Sequence, residues 1–293
     1  MRKLTIKRSE IALADAWGAI VGSSAFRTDY PLYLRDPNLN VVEGVSLTAF
    51  EQDFEGAAGH EMDEDRKKPP KFCAAYSSAA LCANSFAIYK SHPSALRLLE
   101  RSGFDSPKFE AGCDTDLTRN HPRRTPPTLD VLLQSSEIVI GIESKCTEYL
   151  TEKKHRSKPL FSMSYGKIEN QLEGGWAKLY DLLKNEGSHF KFLDAAQLVK
   201  HYFGLRANFA PKRTTLLYVY WQPANPNEFQ EFARHRSEIT EVADLVKGAS
   251  LKFEHISYTD LWIQWERNAS PNSPVRDHVA RLRARYQVTL PSQ

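Results

Sequence analysis

The sequence predicts an α/β fold with a mixed central sheet flanked by helices, and three observations carry that prediction. The first is a set of three short segments, KFEAGCDT, PTLDVLLQ and EIVIGIESKCTEYL, divided only by loop- and turn-forming residues, which read as consecutive strands. The second is the alternation that follows. Helical patterns in IENQLEGGWAKLYDLLKN, DAAQLVKHYFGL and EFARHRSEITEVADLVKG interleave with strands in TTLLYVYWQP and LKFEHISYTDLWIQWE. The third is the run Ile138-Val139-Ile140-Gly141-Ile142, which is apolar on both faces, as a central strand covered on both sides requires.

Taken in order, the chain opens with a helix near Ser9 to Val21, then turn signals at Tyr30-Pro31 and Asp36-Pro37. An acidic stretch runs from Glu51 to Asp65. Ser77 or Ser78 caps a helix through AALCANSFAIYK, which stops before His92-Pro93. SALRLLERSG reads as a second short helix ending at Gly103. Pro126-Pro127 marks the entry to the second strand, and Gln134-Ser135-Ser136 makes a tight connection to the third. Glu148 and Thr147 read as a continuation of that strand, before a basic loop at 152–158. HVARLRARY forms a terminal basic helix. The order is helix, three strands, helices, strand, helix, strand. It fits one domain over residues 55–293, with an N-terminal extension, 1–54, packed on it.

The 293 residues are enough to bury a real core, and 41% hydrophobic with 26% charged is ordinary globular composition. No stretch approaches the ~20 apolar residues of a membrane helix. The N-terminus, MRKLTIKRSEIALADAW, lacks the apolar core of a signal peptide, so a cytoplasmic protein is expected. Cys73, Cys82, Cys113 and Cys146 form no C-x-x-C pair and are expected as reduced thiols. A net charge of +3 neither requires nor forbids nucleic acid; local clustering decides. P-loop, dinucleotide-binding, H-E-x-x-H and G-x-S-x-G motifs are absent. Tyr218, Tyr220, Trp221, Trp262 and Trp265 read as core and rim aromatics.

The chemistry lies at the end of the third strand. Side chains on a strand alternate faces, so Glu143 and Lys145 share a face with Gly141, while Ile138, Ile140 and Ile142 point into the core. Gly141 is expected to leave room beside Glu143 for a ligand. Asp130, on the antiparallel neighbour, is placed to face the same pocket. Converging carboxylates make a hard oxygen site for Mg2+ or Mn2+, and an adjacent lysine lowers their pKa values while its own rises. A metal so held polarises a phosphoryl oxygen and favours hydroxide as nucleophile, the parts that phosphodiester hydrolysis needs. E-x-K alone is a common chance match. Here it ends the most apolar strand, and Asp130 sits among Leu129, Val131, Leu132 and Leu133, where a charge is costly unless satisfied.

Pro127-Thr128-Leu129-Asp130 followed by Ile142-Glu143-Ser144-Lys145 resembles the PD-(D/E)XK nuclease superfamily, with its restriction-endonuclease-like αβββαβ core. GHEMDEDRKKPPKFCAAYSSAALCANSF is similar to the N-terminal part of bacterial restriction endonucleases within it. The resemblance covers residues 55 to 267; Thr128 and Leu129 separate the proline from the aspartate, so the "PD" is not literal. It implies that Asp130, Glu143 and the backbone carbonyl of Ser144 ligate the metal, and that Lys145 positions the attacking water and stabilises developing charge. It also implies an upstream glutamate, Glu110 or Glu61, and a contribution from Gln171. Each of these three has an equally good structural reading, as a strand-surface, acidic-loop or helix-start residue.

Basic residues flank this core: Arg119, Arg123 and Arg124 before the aspartate strand, and Lys153, Lys154, His155, Arg156 and Lys158 after the lysine strand. They are candidates for phosphate contacts, which give affinity rather than sequence choice. Arg281, Arg283 and Arg285 are weaker candidates. The expected function is a Mg2+-dependent DNA endonuclease, with a restriction or defence role implied by the resemblance. The alternatives are a nuclease fold that binds nucleic acid without cutting it, and a metal-dependent phosphodiesterase acting on RNA or a nucleotide. A homodimer is a reasonable form for an enzyme that cuts both strands.

Overall fold

The computed structural model describes residues 2–55, 57, 59–64, 68–119, 124–152 and 160–291. Five strands form one sheet in the order β1 (Lys108–Gly112), β2 (Thr128–Gln134), β3 (Ile138–Lys145), β4 (Arg213–Tyr220) and β5 (Lys252–Ser257). β1, β2 and β3 are antiparallel neighbours, whereas β3, β4 and β5 run parallel. The change of sense follows from the connections. Two residues suffice to turn a hairpin, but a parallel return needs a helical crossover. The sheet is therefore mixed, as the order of segments predicts.

Helices are α1 (Arg2–Val21), α2 (Glu51–Phe54), α3 (Ser78–Phe86), α4 (Ile88–Ser91), α5 (Gly175–Asn185), α6 (Ala195–Phe209), α7 (Gln230–Leu245), α8 (Tyr258–Asn268) and α9 (Pro274–Tyr286). α5 and α6 cross from β3 to β4, and α7 crosses from β4 to β5. Ser77 caps α3 by accepting the Ala80 N–H, and Asp194 caps α6 by accepting that of Gln197. α3 packs on β2 and β3, and α6 on β3 and β4. Ser144 reaches Tyr258 of α8, whereas its neighbour Glu143 reaches His201 of α6. Since neighbours on a strand point to opposite faces, α8 and α6 cover opposite sides of β3. This two-sided cover is why Val139 to Ser144 are all buried.

The N-terminal residues share this core rather than sitting apart from it. One buried apolar cluster runs from Leu13 and Trp17 through the sheet to Leu290. Phe50 and Phe54 pack with Phe72 and Phe109 against β1, tilted or edge-on except for the stacked pair Phe54–Phe109. Asp53 accepts the Phe109 N–H at 2.9 Å and pairs with Lys90 at 2.6 Å, so a carboxylate occupies the open edge of β1.

Three local expectations change. SALRLLERSG is not a helix. Pro93–Ala95 make one 3-10 turn, and Leu98 and Arg101 then bridge across Leu99 and Glu100, both at positive φ. Leu96 and Leu98 are fully buried, so the period is that of extended chain. The helix expected from Ile168 begins only at Gly175: the 3-10 turn Glu169–Gln171 ends in extended backbone at Leu172, and Gly174 at φ 55° leads into the helix. β3 stops at Lys145; Glu148–Leu150 is a 3-10 turn, and the Glu148 carboxylate accepts the Cys146 N–H. In the other direction, α1 is longer than its pattern suggests and starts at Arg2.

Candidate active site

The site forms where β2 and β3 part. Their ladder runs from Gln134↔Val139 to Val131↔Ile142, and the next row holds Asp130 and Glu143. There the Asp130 carboxylate, not its backbone, takes the Ser144 N–H, at 2.6 Å. N–H and C=O of one strand residue point to the same side, so the Ser144 carbonyl also turns toward β2. The next carbonyl, that of Lys145, turns the other way and accepts the Trp221 N–H at 2.8 Å. On the far side, Phe109↔Val131 and Ala111↔Leu129 place Glu110 opposite Asp130. Glu110, Asp130 and Glu143 thus occupy one row across three strands.

Glu61 joins them from the segment preceding α3. A Cβ at Gly59 would lie 2.9 Å from Glu110 Oε2 and 3.3 Å from Glu61 Cγ, so glycine there lets both glutamates close in. Lys71 fixes the segment, donating to the Gly59 carbonyl at 2.6 Å and pairing with Glu61 at 3.3 Å.

Lys145 forms an ion pair with Glu143 Oε1, and His201 Nε2 lies 2.7 Å from Glu143 Oε2. The electrostatics follow from this crowding. Burial, then the charges of Glu143 and Glu110, push the Asp130 carboxyl well above its ordinary range, although Lys145 and the Ser144 N–H oppose the rise. Burial, then Glu61 and Glu143, raise Glu110 to about 7. Burial also raises Glu61, against the pull of Lys71. Glu143 goes the other way: burial would raise it, but Lys145 and then His201 hold it below the ordinary carboxylate value. Lys145 is raised despite its burial, by Glu143, Glu148 and Asp130. Glu143 is thus held ionised by its cationic partner, while burial favours the neutral acid at Asp130 and Glu110.

Other expected residues lie elsewhere. The Gln171 amide donates to Asp116 at 2.6 Å, and its carbonyl accepts from Tyr202. Arg124 is exposed and donates to the Leu117 carbonyl, and Arg119 donates to that of Ala207. Arg123, Lys153, Lys154, His155, Arg156 and Lys158 lie outside the described residues. Arg285 is buried, 4.1 Å over the Trp17 ring, and donates to the Asn40 carbonyl, so it is no phosphate ligand. Arg281 and Arg283 pair with Glu43 and Glu266. Gly141 is not a ligand cradle: a Cβ there would lie 2.8 Å from Leu129 Cδ1 and 3.0 Å from Leu205 Cδ2. Its missing side chain admits core packing. His201 and Lys71 went unnoticed in the sequence. A histidine inside an apolar helical pattern reads as core, and Lys71 reads as part of a solvated charge run.

Among the described residues no group of three or more His, Cys, Asp or Glu side chains is arranged to hold a metal ion. The donors nonetheless fit a hard divalent cation in kind. Asp130 and Glu143 offer carboxylate oxygens on adjacent strands, the Ser144 carbonyl turns toward the same gap, and Glu110 adds a third carboxyl beside them. The four cysteines are free and buried, and among the described residues no helix is long and apolar enough to cross a membrane.

A five-stranded mixed sheet flanked by helices, with this acidic row at the ends of its central strands, defines a restriction-endonuclease-like α/β protein. A family model described as "Restriction Endonuclease associating with ARP" matches residues 21–287, and the chain belongs to that family. No curated protein and no solved structure matches it.

Proposed function

We propose that this protein is a Mg2+-dependent DNA endonuclease of the PD-(D/E)XK type, acting in restriction. One observation carries the reading: Glu110, Asp130 and Glu143 share a row with Lys145 beside them, at the end of otherwise apolar strands. Glu143 is buried and Glu110, Asp130 and Lys145 are half-buried; ionisable groups crowded in this way are costly to stability, and a site that uses them accounts for their presence. The family's name supports nuclease action and DNA as the partner.

In this reading Asp130, Glu143 and the Ser144 carbonyl hold the cation. When bound, it supplies Lewis-acid polarisation of the phosphate and a water of lowered pKa. Lys145, kept protonated by its carboxylate neighbours, stabilises the charge that develops on the scissile phosphate. Glu110, with a carboxyl near 7, is set to exchange a proton with water in the neutral range. Arg123, Lys153, Lys154, Arg156 and Lys158 adjoin both site strands in sequence and serve as phosphate contacts. A homodimer and a cytoplasmic location complete the proposal.

The experiment is a substrate panel of plasmid, linear duplex, single-stranded DNA and RNA, with and without Mg2+ or Mn2+. DNA cleavage that needs the metal and falls by about 1000-fold in Lys145→Ala is the expected result. Unchanged cleavage in both Lys145→Ala and Glu143→Ala overturns the site. Salt-dependent DNA binding with no cleavage under any metal overturns the enzyme reading in favour of a binding protein.

A further inference from the structure

His201 is the contact to Glu143 that sequence patterning did not reveal. Its Nε2 lies 2.7 Å from Glu143 Oε2, with side-chain exposures of 1% and 2%. Nδ1 is buried with no hydrogen-bond partner among the described residues, so the hydrogen belongs on Nε2, where it is donated to the carboxylate. The two oxygens of Glu143 are thereby divided: Oε2 is held by α6, and Oε1 is turned to Lys145.

The packing that delivers His201 is specific. α6 runs antiparallel to β3, and the turn from His201 to Leu205 rises about 6 Å. The step from Glu143 back to Gly141 covers about 6.6 Å of strand. Leu205 therefore seats over Gly141 while His201 seats over Glu143. A Cβ at position 141 would lie 3.0 Å from Leu205 Cδ2, so glycine there sets how closely α6 approaches.

We infer that His201 is a positioning residue for Glu143: it fixes the rotation of the carboxylate and so presents one chosen oxygen to Lys145 and to the cation. The inference rests on the nuclease reading, in which Glu143 is a metal ligand. Without the His201 donor the carboxylate is held on one side only, by Lys145, and cation affinity falls.

The test is Mn2+ affinity by titration calorimetry on the full chain, with thermal melting to establish folding. The variants are His201→Gln, whose amide reaches where Nε2 does, His201→Asn, which is too short, and His201→Leu. Wild type and His201→Gln are expected to bind Mn2+ alike. His201→Asn and His201→Leu are expected to bind about 10- to 100-fold more weakly, with cleavage restored by excess Mn2+. Should His201→Leu fail to fold, His201→Asn against His201→Gln decides. Wild-type affinity in His201→Asn, or equal loss in Gln and Asn, overturns the positioning role and leaves the nuclease reading intact. A wild-type protein that neither binds Mn2+ nor cleaves DNA overturns the nuclease reading itself.

Discussion

Glu110 sits at φ 45°, a left-handed backbone that a glutamate adopts at a cost of about 1–2 kcal/mol, and its carboxyl is raised from 4.5 to about 7. A raised carboxyl binds its proton more tightly in the folded state than in the unfolded chain. Stability is therefore lost as pH rises from about 4.5 to about 7. Glu110→Gln removes that loss. Melting curves should show the variant a few degrees more stable than wild type near pH 8, with the difference gone below about pH 4. Lys145→Ala has the opposite sense. Among the described residues it leaves buried Glu143 with His201 alone as partner, so a loss of about 3–5 kcal/mol is expected by urea denaturation, and Mg2+ should recover more of it than it adds to wild type. These residues were legible in sequence because strand alternation assigns a face to each, and a charge in an apolar strand stands out. His201 was not, since its partner lies 58 residues away and helical periodicity does not say what a buried histidine touches.

Elements show where local pattern and tertiary packing part company. The hairpins and crossovers followed from segment order and connection length, because a short turn forces antiparallel neighbours and a helix permits parallel ones. The start of α5 did not follow. At Gly175 a Cβ would fall 2.0 Å from the Leu245 carbonyl, so the helix begins where it meets the end of α7. Gly175→Ala must displace backbone rather than a flexible side chain. A loss of about 2–3 kcal/mol is expected in urea denaturation, with metal affinity little changed. SALRLLERSG failed for a related reason: its leucines suit a helix, but burial of Leu96 and Leu98 on one side of an extended chain outweighs propensity in so short a segment. Gly141 likewise looked like space for a ligand, and only the position of α6 shows that Leu205 uses it.

Across the whole molecule, the N- and C-terminal regions are tied through Arg285, which donates to the Asn40 carbonyl at 2.7 Å and lies over Trp17. Among the described residues its guanidinium has no carboxylate partner, and it relies on this fixed planar geometry. Arg285→Lys should cost about 2–3 kcal/mol in thermal or urea unfolding, while cleavage at saturating Mg2+ stays unchanged, because the residue lies outside the acidic row. A cation held between members of the acidic row is what separates a working site from a set of carboxylates that merely pack together. A crystal soaked in Mn2+ should give an anomalous peak between Asp130 and Glu143, on the side of the Ser144 carbonyl, with Lys145 drawn away from Glu143. A Lys145–Glu143 pair left intact at saturating Mn2+, with no peak at that position, would contradict it.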